Sequence, residues 1–199
     1  MTKGDATKPP DATSYRQTAF GIIPRNELVE KELEGIGRGF KFINKLPQNT
    51  KLDENLLLKL HKVCFGWIFP DWSGKYRTVN VETSTHTFPP FHEVPELTRN
   101  FLADLNERLK HDPNPVKLIA WAQHRLVWMH PFKDYNGRTA RLFSNLLMLR
   151  LDLPLTEIKV ESDQDRKKYI RALKAADAGN YNPLEKLIKT ALEEAGTTT

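Results

Sequence analysis

Twelve consecutive residues carry most of the side chains in this chain that are suited to chemistry. The segment from His130 to Arg141 reads HPFKDYNGRTAR and combines an imidazole, a carboxylate, an amide, a glycine and two guanidiniums. An imidazole serves as a general base, a carboxylate binds Mg²⁺, and guanidiniums bind phosphate groups. This combination is typical of a site for a polyphosphate on which one histidine acts.

The order of these residues gives each of them an expected role. A helix is expected to begin near Asn136, and the amides and dipole of its first turn favour an anion. Gly137 lets the backbone approach a ligand closely, while Arg138 and Arg141 project from neighbouring positions and would hold two phosphates. Asp134 would be repelled by phosphates unless a cation lay between them, so we interpret it as a Mg²⁺ ligand.

His130 is not needed to bind phosphate, so it is available for another role. An imidazole beside a bound nucleotide could take a proton from an attacking hydroxyl. It lies at the end of a predicted helix, whose dipole favours the charged imidazole, so another feature must keep it neutral. Taken singly, each residue of the segment has a structural explanation as a cap, a turn residue or a solvated charge. The joint pattern favours function. His124 faces another side of the same helix and is expected to be structural.

The elements that position this segment are predicted to be helical. Apolar residues recur at helical spacing from Asn26 to Lys45, although three glycines weaken that pattern. Asp53 is expected to cap the next helix, and Pro95 to begin another. The helix that Pro115 opens is apolar on nearly every side, which is typical of the centre of a fold, and Asn136 is the expected cap of the helix after the loop. Two more helices are predicted, at Asp163–Ala178 and Pro183–Glu194.

One segment departs from the helical pattern. Thr78–Thr83 alternates and is rich in β-branched residues, which predicts a short strand or hairpin arm. Residues 1–15 are polar and contain prolines, so we expect a disordered tail there. The prediction is an all-α fold with one small β-hairpin, in a single domain over residues 16–199.

The amino-acid composition gives only weak indications of the binding partners and of the cellular compartment. The net charge of +5 over 199 residues favours anionic partners, but the basic residues are dispersed and no nucleic-acid-reading motif is evident, so no nucleic-acid partner is expected. No apolar run approaches the length of a membrane span. Cys64 is the single cysteine, which suits a reducing compartment and a buried, inert thiol. We expect a cytoplasmic protein, and delivery into another cell stays open.

The central segment resembles the motif of the Fic family (Fic/Doc superfamily), H-x-F-x-(D/E)-G-N-(G/K)-R-x-x-R. The matching residues are His130, Phe132, Asp134, Asn136, Gly137, Arg138 and Arg141. The similarity continues in LHKVCFGWIFPDWSGKYR, HTFPPFHEVPELTRNFLADLN and KKYIRALKAADAGNYNPLEKLI, and it covers roughly residues 50–192. This resemblance implies a Fic-type helical core with a β-hairpin flap over the active-site loop.

The resemblance also implies an enzyme, a protein adenylyltransferase that transfers AMP from ATP to a Ser, Thr or Tyr hydroxyl of a target protein (AMPylation), with Mg²⁺ as cofactor. By matching position, His130 would deprotonate the hydroxyl, Asp134 would bind Mg²⁺, and Asn136 would help position the α-phosphate. Gly137 would lend backbone amides, and Arg138 and Arg141 would hold the β- and γ-phosphates. The segment Thr78–Thr87 would be the flap and would dock the target as an added strand. Its docking residues would be Thr78, Val79, Asn80 and Val81.

Two departures from the family pattern leave several possibilities open. Tyr135 stands where the family usually has Gly, so its ring either crowds the anion-binding turn or points away. Glu34 and Glu194 fit only parts of the family's inhibitory-helix motif and are interpreted as coincidences. Regulation by an antitoxin-like partner or by self-association therefore stays open. So do transfer of phosphate or another nucleoside monophosphate, removal of AMP, and a non-catalytic nucleotide-binding or interaction module.

Overall fold

Helices make up most of the described chain, residues 15–83, 86–160 and 162–196 of a computed structural model. The helices are α1 (Arg25–Ile43), α2 (Glu54–Phe65), α3 (Val94–His111), α4 (Pro115–Met129), α5 (Asn136–Arg150), α6 (Asp163–Asp177) and α7 (Asn182–Gly196). The strands are β1 (Arg16–Thr18), β2 (Gly21–Ile23), β3 (Glu82–Thr83) and β4 (His86–Thr87). They pair as two antiparallel hairpins, β1–β2 and β3–β4. The predicted helical fold with a small hairpin is confirmed.

Helices α2 and α4 each begin after a residue whose side chain caps the helix. The side chain of Asp53 accepts a hydrogen bond from the Leu56 amide at 2.9 Å. Asn114 does the same for the Lys117 amide at 3.0 Å, directly before Pro115 at the first position of α4. Each such cap satisfies an amide that has no partner within the helix, and is typically worth about 1 kcal/mol.

Helix α4 lies at the centre of the fold. It packs against α3, α5, α6 and α7, while α5 also packs against α1 and α2. Its buried residues occupy most of the helix circumference, as expected from its apolar sequence, and only the side with Lys117, Trp121, Arg125 and Trp128 is partly exposed. The buried residues are Leu118, Ile119, Ala120, Ala122, Gln123, His124, Leu126 and Met129. The loop that joins α4 to α5 is therefore held between the two most buried helices of the chain.

Two of the glycines that weaken the helical pattern of α1 are required by its packing. A Cβ on Gly35 would collide with the Cys64 carbonyl oxygen, and one on Gly39 would collide with Leu142 and with the Cys64 sulfur. Helix α1 approaches α2 and α5 closely at these positions. Close packing thus offsets the roughly 1 kcal/mol by which each glycine disfavours a helix.

An N-terminal hairpin, β1–β2, was not predicted. Its strands are three residues each, too short to show an alternating pattern, and Arg16 pairs with Ile23 across it. Gly21, the first residue of β2, adopts φ +87°, and the Ala19 amide donates to the Ile68 carbonyl at 2.8 Å, which attaches the hairpin to the segment after α2. This attachment brings Arg16 to the α4–α5 loop.

The strand predicted over Thr78–Thr83 is wrong for its first four residues. Pairing is limited to Glu82 with Thr87 and Thr83 with His86. Side chains engage the neighbouring backbone instead, since Arg77 donates to the Val79 carbonyl and the Asn80 side chain accepts from the Phe91 amide. The expected disorder of residues 1–15 falls, except for Tyr15, outside the described residues, and the single-domain prediction stays a prediction.

Cys64 is buried, with 1% of its surface exposed, and burial raises the pKa of its thiol to about 12. This confirms the expectation of a buried thiol, and a raised pKa disfavours the reactive thiolate. None of the helices in the described ranges has the length and apolar character needed to cross a bilayer.

Candidate active site

The loop between α4 and α5 is held in shape by the side chain of Asn136. Its Oδ1 accepts from the Phe132 amide at 2.8 Å, and its Nδ2 donates to the Phe132 carbonyl at 2.9 Å. Asn136 is 3% exposed and is the first residue of α5 rather than its cap. The prediction that Asn136 caps α5 is wrong, because Tyr135 occupies the N-cap position. The side-chain amide of Asn136 instead binds the backbone of Phe132 across the loop. A contact of Asn136 with the α-phosphate stays a prediction.

His61 of α2 contacts the loop between α4 and α5 and holds it in place. Its ring stacks on Phe132 with the ring centroids 3.8 Å apart. Its Nδ1 accepts from the Gly74 amide at 2.9 Å, so Nε2 carries the proton that is donated to the Asp134 carbonyl at 3.2 Å. Burial lowers the pKa of His61 to about 4, so the ring is neutral at pH 7 and its tautomer is fixed by its two partners.

Arg77 connects the flap to the loop. Its backbone amide donates to Pro131, and its Nε donates to the His130 carbonyl at 2.8 Å. The remaining guanidinium nitrogens donate to the carbonyls of Val79 and Pro89 at the two ends of the flap segment. One buried side chain, 3% exposed, thereby fixes both flap ends relative to the candidate base.

His130 occupies a left-handed backbone position at the end of α4, with φ 47° and ψ 58°. This conformation is uncommon for a residue with a Cβ, and it turns the chain sharply into the loop. The ring stacks on Phe88 at a centroid distance of 4.0 Å, and Nδ1 lies 3.3 Å from the Val127 carbonyl. Because a carbonyl only accepts, Nδ1 carries the proton and Nε2 keeps its lone pair.

Burial keeps His130 in the neutral form that a base requires. It lowers the pKa of the imidazole to about 4, and the positive charge of Arg77 adds to this effect, whereas the Val127 carbonyl and Asp134 oppose it. Burial therefore outweighs the helix dipole that would favour the charged imidazole.

The Tyr135 ring is packed into the core, and the guanidinium carbon of Arg138 lies 5.2 Å from its centre. It stacks on Phe65 with centroids 4.1 Å apart and also lies near Trp72. Its hydroxyl donates to Glu32 Oε1 at 2.6 Å, and burial together with the Glu32 charge raises the pKa of the phenol. The backbone at Tyr135 is left-handed, φ 61°, a conformation that glycine adopts most easily. Ring burial and the Glu32 bond offset a strain of about 1–2 kcal/mol.

Asp134 is already paired in this arrangement. Its Oδ1 accepts from the Tyr135 amide at 2.7 Å, and its Oδ2 forms a salt bridge with Arg16 Nη1 at 2.7 Å. The Asp134 side chain is 38% exposed, so it remains accessible from solvent.

Gly137 and Arg138 lie on the first turn of α5 and Arg141 lies on its second, and Tyr135 offers the first amides no side-chain acceptor. Arg138 Nη1 is 2.8 Å from Glu32 Oε2, and the guanidinium of Arg141 lies 5.9 Å from the Tyr169 ring centre. The buried Nε of Arg141 has no hydrogen-bond partner among the described residues. A Cβ on Gly137 would make only an ordinary contact, 3.7 Å from Arg141. This end of the helix therefore presents open donors to an anion.

The predicted flap residues lie outside the paired strands, and Val79 is 55% exposed. His86 of β4 lies 3.7 Å from Asp177, which also binds His124 at 2.9 Å. His124 is therefore a buried structural residue, as expected.

The two partial matches to an inhibitory helix pair elsewhere, Glu34 with Arg38 and Glu194 with Lys159.

Four residues that hold this site were missed by sequence reasoning: Arg16, Glu32, His61 and Arg77. Even Arg77, the last of them in the chain, lies 53 positions before His130, so no local spacing connects these residues with the loop. Glu32 alone carries a local signal, because it stands on the apolar face of α1, four residues after Leu28, where a charge requires a buried partner.

Comparison with known proteins agrees with this geometry. Residues 51–148 match the Fic/DOC family. The chain is 32% identical over 182 residues to protein adenylyltransferase Fic of Drosophila persimilis, covering 91% of this chain and 35% of that protein. It is 29% identical to the protein of the same name from Nematostella vectensis, covering 89% of this chain and 41% of that one.

A solved fragment of Fic-1 from C. elegans superposes with a TM-score of 0.73 at 28% identity, over 82% of this chain and 48% of that one. The chain spans about a third of the length of the Drosophila relative, so the likeness concerns the part that carries the motif. With the motif residues gathered on the loop after α4 and the first two turns of α5, these matches identify the chain as a member of the Fic/DOC family.

Proposed function

We propose that this chain transfers AMP from ATP to a hydroxyl side chain of a target protein. The observation that carries the proposal is the neutral His130, with a free lone pair on Nε2, at the rim of a helix start that presents two arginines and open amides. The relatives named protein adenylyltransferase support the same reaction class.

His130 is the proposed catalytic base. A Ser, Thr or Tyr hydroxyl of the target gives its proton to His130 Nε2 while its oxygen bonds to the α-phosphorus of ATP. The bond between that phosphorus and the oxygen bridging to the β-phosphate breaks, and pyrophosphate leaves. The proton on Nδ1, held by the Val127 carbonyl, keeps the ring in the tautomer that this step needs.

The first turn of α5 is the proposed phosphate site. Its amides and dipole favour negative charge, and Gly137 lets the backbone approach the ligand. Arg138 and Arg141 would hold the β- and γ-phosphates, with the orphaned Nε of Arg141 as one donor. Asn136 would help position the α-phosphate while its side chain keeps the loop closed.

Asp134 is the proposed ligand of Mg²⁺, and its partly exposed carboxylate fits that role. The described residues contain no group of three side chains that could form a complete metal site. A divalent cation would therefore rely on Asp134, phosphate oxygens and water, which is the coordination that Mg²⁺ prefers. When bound, the ion would neutralise phosphate charge. Binding of the ion to Oδ2 of Asp134 would displace Arg16 from that oxygen.

The proposed docking surface for the target is the first arm of the flap, Thr78–Val81 together with β3. The exposed Val79 offers a side chain to the target, and a short strand edge could pair with an extended segment. A cytoplasmic location, an antitoxin-like inhibitor and self-association stay predictions.

A non-catalytic module would be favoured by a Tyr135 ring that blocks the turn. That ring is stacked in the core, which removes the main argument for such a module. Transfer of phosphate or of another nucleoside monophosphate, and removal of AMP, would use the same loop. These reactions differ from AMP transfer in the group that moves, so the mass of the modified target distinguishes them.

Labelling with a panel of tagged nucleoside triphosphates in lysate, with Mg²⁺, tests the proposal. We expect a labelled protein with the ATP probe, and a mass increase on the modified peptide that corresponds to AMP rather than phosphate. Absence of labelling combined with absence of nucleotide binding would reject the proposal.

A further inference from the structure

Glu32 is a buried carboxylate that the proposed reaction does not use. It lies in the middle of α1, and its side chain is 3% exposed. A carboxylate in such a position is costly unless charged or polar partners surround it. Its partners therefore indicate what this residue does.

Two of the three partners of Glu32 belong to the active-site segment. Oε1 accepts from the Tyr135 hydroxyl at 2.6 Å and from Arg25 Nη1 at 2.8 Å, while Oε2 lies 2.8 Å from Arg138 Nη1. Glu32 thus links α1 to the residue that caps α5 and to the first arginine of the motif.

The contact with Arg138 leaves most of that guanidinium free. Glu32 Oε2 and Arg138 Nη1 are close enough for an ion pair but lack the alignment of a hydrogen bond. The Arg138 side chain is 31% exposed, and a guanidinium has five N–H donors, so donors remain for a ligand. Because Arg25 and Tyr135 also contact the carboxylate, two guanidiniums surround one negative charge and the cluster keeps a net positive charge.

We propose that Glu32 is a positioning residue for phosphate binding. It fixes the Arg138 guanidinium at the phosphate site and anchors Tyr135, so that the backbone turn before α5 keeps its shape. Tyr135 and Glu32 act as a pair. The backbone of Tyr135 is left-handed, a conformation that glycine adopts without strain, and the hydrogen bond from its hydroxyl to Glu32 stabilises that conformation here. This inference rests on the proposed function, because it assigns Glu32 to the same phosphate site.

Glu32→Gln tests the proposal, because it removes the charge and keeps the shape. The matched control is Glu34→Gln, two residues along the same helix, whose partner is the exposed Arg38. We expect the affinity for a non-hydrolysable ATP analogue with Mg²⁺, measured by calorimetry, to fall about 10-fold in Glu32→Gln, equivalent to about 1.4 kcal/mol. Glu34→Gln should bind as the wild type does.

A double-mutant cycle separates positioning from a general structural effect. In an Arg138→Ala background, Glu32→Gln should change the affinity less than 2-fold, because its partner is already gone. Tyr135→Phe, which removes only the hydroxyl, should weaken binding about 3-fold, and it decides the matter if Glu32→Gln does not fold.

Two results would overturn the inference. One is unchanged or tighter nucleotide binding in folded Glu32→Gln, since a carboxylate that sequesters Arg138 would have that effect. The other is full additivity of Glu32→Gln with Arg138→Ala. If Arg138→Ala alone binds nucleotide as the wild type does, the phosphate site of the proposed function fails, and this assignment fails with it.

Discussion

Arg16 and Asp134 form a salt bridge of 2.7 Å between residues 118 positions apart in the chain. The guanidinium, held by the N-terminal hairpin, sits on the carboxylate oxygen that would otherwise be available to a cation. Both side chains are about 40% exposed, so the pair is worth at most about 1 kcal/mol. An ion pair of this strength compensates the negative charge of Asp134 but is weak enough for Mg²⁺ to displace the arginine.

Arg16→Gln should therefore lower the Mg²⁺ concentration needed for half-maximal nucleotide binding. We expect a shift of roughly 2- to 5-fold, the range that a partly exposed ion pair supplies. Calorimetric titrations of ATP analogue at several Mg²⁺ concentrations measure it, with Gln17→Ala on the same strand as the control. A need for more Mg²⁺, or loss of nucleotide binding, would show that Arg16 assists the ligand instead.

Gly137→Ala separates ligand binding from folding. A Cβ there meets only Arg141 at an ordinary 3.7 Å, so the substitution should leave the fold intact and stabilise α5 by about 0.5–1 kcal/mol. A nucleotide that approaches the backbone would meet this methyl group, and we expect its affinity to fall about 10-fold or more. Thermal unfolding and calorimetry measure the two effects.

Gly37→Ala is the matched control, because nothing lies within 4 Å of a Cβ at that helical position. It should raise the stability without changing nucleotide affinity. Wild-type affinity in Gly137→Ala would contradict a close backbone approach.

The pH dependence of transfer should reflect the lowered pKa of His130. The imidazole has a pKa of about 4 rather than 6.5, so the base is fully neutral from pH 7 down to about 5.5. We expect kcat/KM to stay flat over this range, since that ratio reports ionisations of the free enzyme. A decrease centred near pH 6.5 would contradict the buried environment of His130.

Acid also destabilises this fold, and the rate measurement needs that control. The folded pKa of His130 and of His61 lies below the unfolded value, so protons favour the unfolded chain as the pH falls from 6.5 towards 4. Circular dichroism at each pH shows whether the protein is still folded.

The parts of this fold that the sequence predicts are those set by local patterns. Helical spacing, the cap Asp53 and the prolines at helix starts predict α1 to α7 within a few residues. The motif predicts the loop between α4 and α5, since its residues are contiguous. The prediction of a strand from Thr78 is wrong because side chains of Arg77 and Asn80 replace strand pairing, and alternation alone does not reveal such bonds.

The supporting shell of the site follows from tertiary packing. Arg16 reaches Asp134 only because the Ala19 amide ties the hairpin to Ile68. The position of the Tyr135 ring, which the sequence left open, is decided by the space beside Phe65 and by the Glu32 acceptor on α1. Contacts between segments so far apart leave no signature in residue spacing.

Comparing nucleotide binding with protein labelling in His130→Ala tests the central claim most directly. The claim predicts that this variant binds the Mg²⁺–ATP analogue within about 3-fold of the wild type, whereas transfer of tagged AMP to any protein is abolished. Labelling that persists in His130→Ala would contradict the claim that the imidazole at the rim of the phosphate site is the base.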